Sequence, residues 1–231
     1  MPDPRYSIVI PVYNEEDSLK ELFAEIMKAM TKCQPYEIIF VDDCSSDRSR
    51  EILENFKKEF FEIVRVVRLS RRTGQTLALR QGLEMAKGEV VVTLDADLQN
   101  DPADIPKLFE TMKEGYDCVC GWRKARQDTP LKAGLSKFGN VLQRLLTGLK
   151  IHDVSCTLRV YQRKALSKIA LEWEGQHRFI PLMLSLKGCL VGEIISHHRQ
   201  RKYGYTKYSH KRIGRVIVDF FRILKESRKK V

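Results

Sequence analysis

The chain has 231 residues, 43% of them hydrophobic, which suffices for one α/β domain with an appendage around a sizeable core. No apolar run approaches the roughly 18 residues of a membrane span, and the N-terminus lacks the basic and apolar regions of a signal peptide. The net charge of +11 is unevenly spread: residues 1–120 hold 16 Lys and Arg against 23 Asp and Glu, a net −7, whereas residues 121–231 hold 25 against 7, a net +18. Such a swing directs the second half toward something anionic, be it nucleic acid, a phosphorylated substrate or an anionic membrane. The six cysteines show no metal-ligand spacing and read as reduced, mostly buried thiols of a cytosolic protein.

In chain order, residues 6–12 (YSIVIPV) predict a first strand. A polar segment, 13–17, then caps a helix to about residue 31, with Leu19, Leu22, Phe23, Ile26 and Met30 on its apolar face. Residues 36–41 predict a second strand that ends in Asp42-Asp43-Cys44-Ser45-Ser46-Asp47, followed by a helix to about residue 60. A third strand is expected over 63–69 and a third helix over 74–87. The fourth strand, 90–94, ends abruptly in Asp95-Ala96-Asp97-Leu98-Gln99. A turn at Asn100-Asp101-Pro102 leads to a helix over 103–114, and 116–121 predict a fifth strand.

Strand and helix alternate, so a mostly parallel sheet with helices on both faces is expected. The polar loops after residues 12, 41 and 94 should gather at one sheet edge, where open α/β sheets bind ligands. Two carboxylates and an amide oxygen there suit Mg²⁺ or Mn²⁺ carrying a phosphate; the plain alternative is an acidic turn that caps the next helix. No GxGxxG and no Walker loop is present, which argues against a dinucleotide-binding Rossmann enzyme or a P-loop enzyme.

Taken together, Ile10-Pro11-Val12-Tyr13-Asn14-Glu15, Val41-Asp42-Asp43-x-Ser45-x-Asp47, Gly74-Gln75-Thr76 with Gly82 and Ala86-x-Gly88, and Asp95-Ala96-Asp97-Leu98-Gln99 resemble the inverting family 2 glycosyltransferases of GT-A fold. The resemblance implies a nucleotide-sugar site lined by Pro11, Tyr13, Glu15, Asp42, Asp43, Gln75 and Ala96, with Asp43 accepting a hydrogen bond from a base N–H. It also implies a divalent metal on Asp97, helped by Asp95 and Gln99, which neutralises the leaving nucleoside diphosphate. Thr73 stands where the family often has an aromatic residue, a departure from which little consequence is expected.

In the second half, Trp122-Arg123-Lys124-x-Arg126 follows the fifth strand, and Arg123 is a candidate to hold the donor diphosphate or an acceptor phosphate; an exposed basic loop is the alternative. Residues 131–151 predict an amphipathic helix with basic residues, to pack on its own domain or lie at a membrane surface. A polar cluster, 152–161, precedes another helix. His197 and His198 are adjacent and point to opposite faces if extended, which disfavours zinc. Arg, Lys and Tyr alternate around Gly204, a pattern that suits phosphate or nucleic acid.

WRK-x-R, LTG with HD and CTLR-x-Y, HRFIP, and HR-x-R-x-x-G-x-TKY narrow the resemblance to the dolichol-phosphate mannose synthase-like and bacterial polyprenyl-phosphate glycosyltransferases. It then covers about residues 5–225. It implies transfer of one sugar from a nucleotide-diphosphate sugar to a polyprenyl phosphate, with catalytic roles for Asp95, Asp97 and Arg123. Lys132, Arg159, Arg201, Thr206 and Lys207 would grip the lipid phosphate, although Lys132 stands where an Arg is expected and cannot make its bidentate contact. On this reading residues 1–211 form the catalytic domain, with a nucleotide-sugar half to residue 121 and an acceptor half from 122. Residues 212–231 form a basic amphipathic helix on the cytoplasmic membrane face, beyond which many relatives continue into membrane spans.

A phosphate acceptor is already anionic, so the general base that a hydroxyl acceptor needs is dispensable. Cations must instead offset the repulsion between an anionic nucleophile and an anionic donor. Two other expectations stay open: the same fold acting on a hydroxyl acceptor, and a non-enzymatic binder of nucleic acid or anionic surfaces, against which the ordered carboxylates of the first half argue.

Overall fold

A computed structural model describes residues 3–124, 147–200, 202–203 and 212–228. The strands are β1 (Tyr6–Val12), β2 (Tyr36–Asp42), β3 (Val64–Arg68), β4 (Val90–Thr93), β5 (Cys118–Trp122), β6 (Arg159–Gln162) and β7 (Val191–Ile195). The helices are α1 (Leu19–Ala29), α2 (Ser49–Glu59), α3 (Gln75–Met85), α4 (Ile105–Met112), α5 (Arg163–Leu166), α6 (Ile180–Leu186) and α7 (Arg212–Arg228). Short 3₁₀ turns precede α4 (Pro102–Asp104) and α6 (Gln176–Phe179).

These strands form one sheet in the order β3-β2-β1-β4-β6-β5-β7. Strands β1 to β4 are parallel, as the βα alternation requires, and β5 is parallel to β7. Strand β6 runs antiparallel between β4 and β5. It falls at the end of the segment read as a polar cluster. Only four residues long, it shows too little alternation to stand out, yet it inserts Val160 into one core and Tyr161 into the other.

The strand period of two splits the core into two layers. Ile8, Ile10, Ile38, Phe40, Val92 and Val119 face α1, α2 and α4, where Phe23 stacks on Phe56 at 4.3 Å. Val9, Ile39, Val41, Val91, Cys118 and Cys120 face α3, α6 and α7. Helix α1 buries Leu19, Leu22, Phe23 and Ile26, the stripe foreseen from its 3.6-residue period. Of the helix expected over 131–151, residues 131–146 lie outside the described residues. Residues 148–151 are not helical: Gly148 turns the chain with φ +70°, and Leu149 and Ile151 enter the core.

The sheet grows outward from β1 through β2 to β3, and then the chain crosses back to place β4 on the other side of β1. The crevice beyond the C-terminal ends of β1 and β4 is thus the switch point where such sheets bind ligands. Strand β4 parts from β1 after Thr93, opposite Val9, while β1 runs on to Val12 beside Asp42. This stagger brings Asp95 level with Pro11, and both line one small cavity with Thr93 and Leu94.

Candidate active site

Three strand-end loops build the crevice, and hydrogen bonds knit them together. After β1, Asn14 takes a left-handed conformation (φ +52°), which its short polar side chain tolerates. Its Oδ1 accepts the Ser46 N–H at 2.8 Å, and its own N–H donates to the Ser45 hydroxyl at 3.0 Å. The Glu15 N–H donates to the Ser49 hydroxyl at 2.8 Å, and the Glu15 carbonyl starts α1 by accepting from Ser18 and Leu19. Tyr13 lies beneath the Arg72 guanidinium, 4.0 Å from its ring centre.

After β2, the buried Asp42 uses Oδ1 to accept the Ser45 N–H at 2.9 Å, and its Oδ2 has no hydrogen-bond partner among the described residues. Asp43, expected to meet a base N–H, accepts the Thr73 N–H at 2.6 Å, the Thr73 hydroxyl at 2.9 Å and the Gly74 N–H at 2.9 Å. Three of the roughly four acceptor positions of a carboxylate are thereby engaged. Little was expected from the departure at Thr73, yet its hydroxyl gives that residue a direct hold on Asp43.

After β4, Asp95 is half-buried and accepts the Gln75 side-chain amide at 2.7 Å. Asp97, 9% exposed, accepts the Gln99 N–H at 3.1 Å across Leu98, and Ala96 is buried beside them. Leu98 has φ +61°, a conformation that costs a β-carbon-bearing residue about 1–2 kcal/mol and that lets the turn double back. Burial first, and then the charge of Asp97, push the Asp95 carboxyl up to about 7; a hydrogen bond from Thr157 and the charges of Arg123 and Arg159 oppose this. Two crowded carboxylates of this kind are a fit for a divalent cation, which would remove their mutual repulsion. Among the described residues no cluster of three His, Cys, Asp or Glu is poised for a metal. Asp95 and Asp97 would therefore rely on the Gln99 amide and on substrate oxygens for the remaining positions, as Mg²⁺ sites commonly do.

Two cations of the second half act on Asp95 by charge. Arg123 is 11% exposed at its side chain and forms a bidentate pair with Asp153 (2.6 and 3.0 Å), with a further bond to the Ser155 hydroxyl at 2.8 Å. Burial works against its charge, and the Asp153 carboxylate outweighs burial, so the guanidinium stays charged. Arg159, expected at a lipid phosphate, stands at the start of β6. It is 2% exposed and donates to the carbonyls of His177 (2.7 Å), Val154 (2.6 Å) and Arg178 (3.2 Å). Its position at the start of β6 turns it inward, where it is a fixed positive charge in the wall of the Asp95 cavity. Lys132, Arg201, Thr206 and Lys207 lie outside the described residues.

The structure adds participants that were quoted in motifs without a role. Pro11, Gln75, Asp95 and Arg159 share their cavity with Thr157 and His177. The His177 Nδ1 lies 2.6 Å from the Thr76 hydroxyl, which also accepts the Gly175 N–H at 2.8 Å. Glu174 accepts the Thr76 N–H at 2.9 Å, at the N-terminus of α3. The signal in the sequence was the cluster of polar residues over 172–178; its partner, a hundred residues earlier, was not visible. The adjacent histidines 197 and 198 do part company: His197 engages Asp104, and His198 pairs with Asn100 in an isolated bridge.

Comparison with known proteins gives this geometry a family. The model of Glycosyl transferase family 2 matches residues 7–170. An undecaprenyl-phosphate 4-deoxy-4-formamido-L-arabinose transferase of Pseudomonas fluorescens is 40% identical over 214 residues, covering 92% of this chain and 62% of the relative. The protein of that name in Pectobacterium atrosepticum is 39% identical over 219 residues, covering 94% and 67%. The chain thus spans about two thirds of the length of these relatives. Among solved structures, glucosyl-3-phosphoglycerate synthase from Mycobacterium tuberculosis, in complex with Mn²⁺, UDP and phosphoglyceric acid, superposes with TM-score 0.69 at 17% identity over 97% of this chain and 78% of that one. A mannosyltransferase from Pyrobaculum calidifontis, in complex with GDP-mannose and Mn²⁺, gives 0.65 at 18% identity over 88% and 59%. The α/β architecture seen here is that of these GT-A glycosyltransferases.

Proposed function

The chain belongs to glycosyl transferase family 2, and we propose that it moves one sugar from a nucleotide-diphosphate sugar to a polyprenyl phosphate at the cytoplasmic face of a membrane. The observation that carries this reading is the pair of a half-buried Asp95 and a buried Asp97 at the sheet switch point, with the charges of Arg123 and Arg159 acting on Asp95. The names of the relatives, which specify undecaprenyl phosphate, support the acceptor class.

On this reading Asp97, Asp95 and Gln99 hold Mg²⁺ or Mn²⁺, whose charge offsets that of the departing nucleoside diphosphate. Pro11, Tyr13, Glu15, Asp42, Asp43, Gln75 and Ala96 line the donor site. Gln75 fixes the orientation of Asp95 through its amide. Arg123, held rigid by Asp153 and Ser155, supplies a preorganised charge for the phosphates. Arg159 contributes a through-space charge, and Lys132, Arg201, Thr206 and Lys207 remain proposed contacts of the acceptor phosphate. An ionised phosphate attacks without giving up a proton, so the site requires approach and charge balance rather than a base. No helix among the described residues is long and apolar enough to cross a membrane. Access to a lipid substrate would come from α7, whose Ile217, Val218 and Phe221 are exposed.

The test is a transfer assay with Mg²⁺ or Mn²⁺, a panel of nucleotide sugars, and a short-chain polyprenyl phosphate present or absent. Metal-dependent formation of a lipid-phosphate sugar is expected. Asp97→Ala should abolish it while leaving the circular dichroism unchanged, and near-normal transfer by that variant would sink the metal assignment. Donor hydrolysis indifferent to the lipid would move the acceptor to a hydroxyl compound.

A further inference from the structure

The turn that follows Asp97 is held by a part of the chain a hundred residues away. The Gln99 N–H faces Asp97, and its carbonyl accepts the Arg199 N–H at 2.8 Å. The Arg199 guanidinium donates to both carboxylate oxygens of Glu25 on α1, at 2.7 and 2.8 Å, and lies 2.8 Å from Asp101 Oδ2. The other oxygen of Asp101 accepts the Ala103 N–H at 3.0 Å and starts the 3₁₀ turn before α4. On either side, His197 engages the buried Asp104 and Lys202 reaches Glu21 on α1 at 2.7 Å. His197, Arg199 and Lys202 therefore tie the turn at 99–104 to α1.

We propose that Arg199 is a positioning residue for the metal-bearing turn. By gripping the Gln99 backbone and the Asp101 side chain against α1, it sets where the Gln99 amide and the Asp97 carboxylate point. The inference rests on the reading of Asp95, Asp97 and Gln99 as the metal group. Two independent features favour it. Leu98 is left-handed, and such a conformation persists only where its surroundings over-determine it. The contacts also need an arginine, because one planar fork spans carboxylates on two elements at once, and a lysine offers only a point charge.

The experiment is a Mn²⁺ titration of the full chain with UDP or GDP present, reading free Mn²⁺ by electron paramagnetic resonance. It compares the unchanged protein with Asp97→Ala, Arg199→Met, Arg199→Lys and Glu25→Gln, with metal-free thermal midpoints alongside. Outer-shell partners of metal ligands typically affect affinity 10–100-fold. Arg199→Met should weaken Mn²⁺ binding about tenfold or more, Arg199→Lys should recover part of that, and Glu25→Gln should weaken it by about threefold. The metal-free midpoint should fall by only a few degrees in each. Affinity within about twofold of the unchanged protein for Arg199→Met overturns the proposal. Should that variant not fold, the same result for Arg199→Lys and Glu25→Gln together overturns it. A loss confined to Asp97→Ala removes Arg199 and keeps the metal site. No difference between the unchanged protein and Asp97→Ala removes the metal reading, and Arg199 with it.

Discussion

His177 lies in the cavity wall, 3% exposed, with its Nδ1 2.6 Å from the Thr76 hydroxyl. Burial first, then the charges of Arg178 and Arg159, hold the imidazole well below its usual pKa. The unfolded chain has no such restraint and takes up the proton near about pH 6.5. Below that pH the unfolded state binds more protons, so this contribution to stability is full above about 6.5 and is lost as the pH falls. The urea midpoint of the unchanged protein should therefore drop more steeply between pH 7 and pH 5 than that of His177→Gln. Equal slopes would show that another group governs the acid response. Arg123 presents the converse case of a buried charge that keeps its partner: Asp153→Ala would strand the guanidinium and should cost about 3–5 kcal/mol, read from the denaturant midpoint.

Helix α3 connects one core layer to the site. Its N-terminus is where the loops converge: the Gly74 N–H meets Asp43, the Thr76 N–H meets Glu174, and the Gln75 side chain meets Asp95. Gly74 has φ +94°, and a β-carbon there would stand 2.6 Å from the Glu174 carboxylate, so both conformation and space demand glycine. Two turns later, Gly82 lets the helix lie close on β1 and β2; a β-carbon would stand 2.3 Å from Val9 Cγ1 and 3.0 Å from Val41 Cγ2. Gly82→Ala should overpack this contact and destabilise the protein by about 1–3 kcal/mol, measured as a lower thermal midpoint. An unchanged midpoint would mean that α3 can shift outward freely, at odds with its fixed place in the site.

Among the described residues, the acidic first half builds the turn of Asp95 and Asp97, and Arg123 and Arg159 of the basic second half act on it by charge. Helix α7 expresses this division. Phe220 and Ile223 are buried, and Phe220 lies 6.4 Å from the Phe179 ring, while Ile217, Val218 and Phe221 are exposed beside the exposed Arg222 and Lys225. Such an outer face suits a bilayer interface with anionic headgroups. The chain should cosediment with vesicles containing anionic lipid. Phe221→Glu should weaken the association, and added NaCl should weaken it further as charges are screened. Equal binding to neutral vesicles at every salt concentration would remove charge as the cause.

Much of this protein was legible before folding, because its signals are local. An apolar run that stops at two carboxylates marks Asp95 and Asp97 at the mouth of a strand, and the spacing of Leu19, Leu22, Phe23 and Ile26 marks the inner face of a helix. Alternation of strand and helix implied the parallel half of the sheet. What remained hidden depends on which distant residues meet. The antiparallel entry of β6 between β4 and β5 carries no period of its own over four residues. It decided that Arg159 is buried among carbonyls. The engagement of Asp43 by Thr73, of Thr76 by His177 and of the Gln99 turn by Arg199 likewise joins segments 30, 101 and 100 residues apart. A residue's chemistry and its neighbours in the chain settle what it can do; strand order and packing settle which partners it has, and those pairings exist only once the sheet has closed.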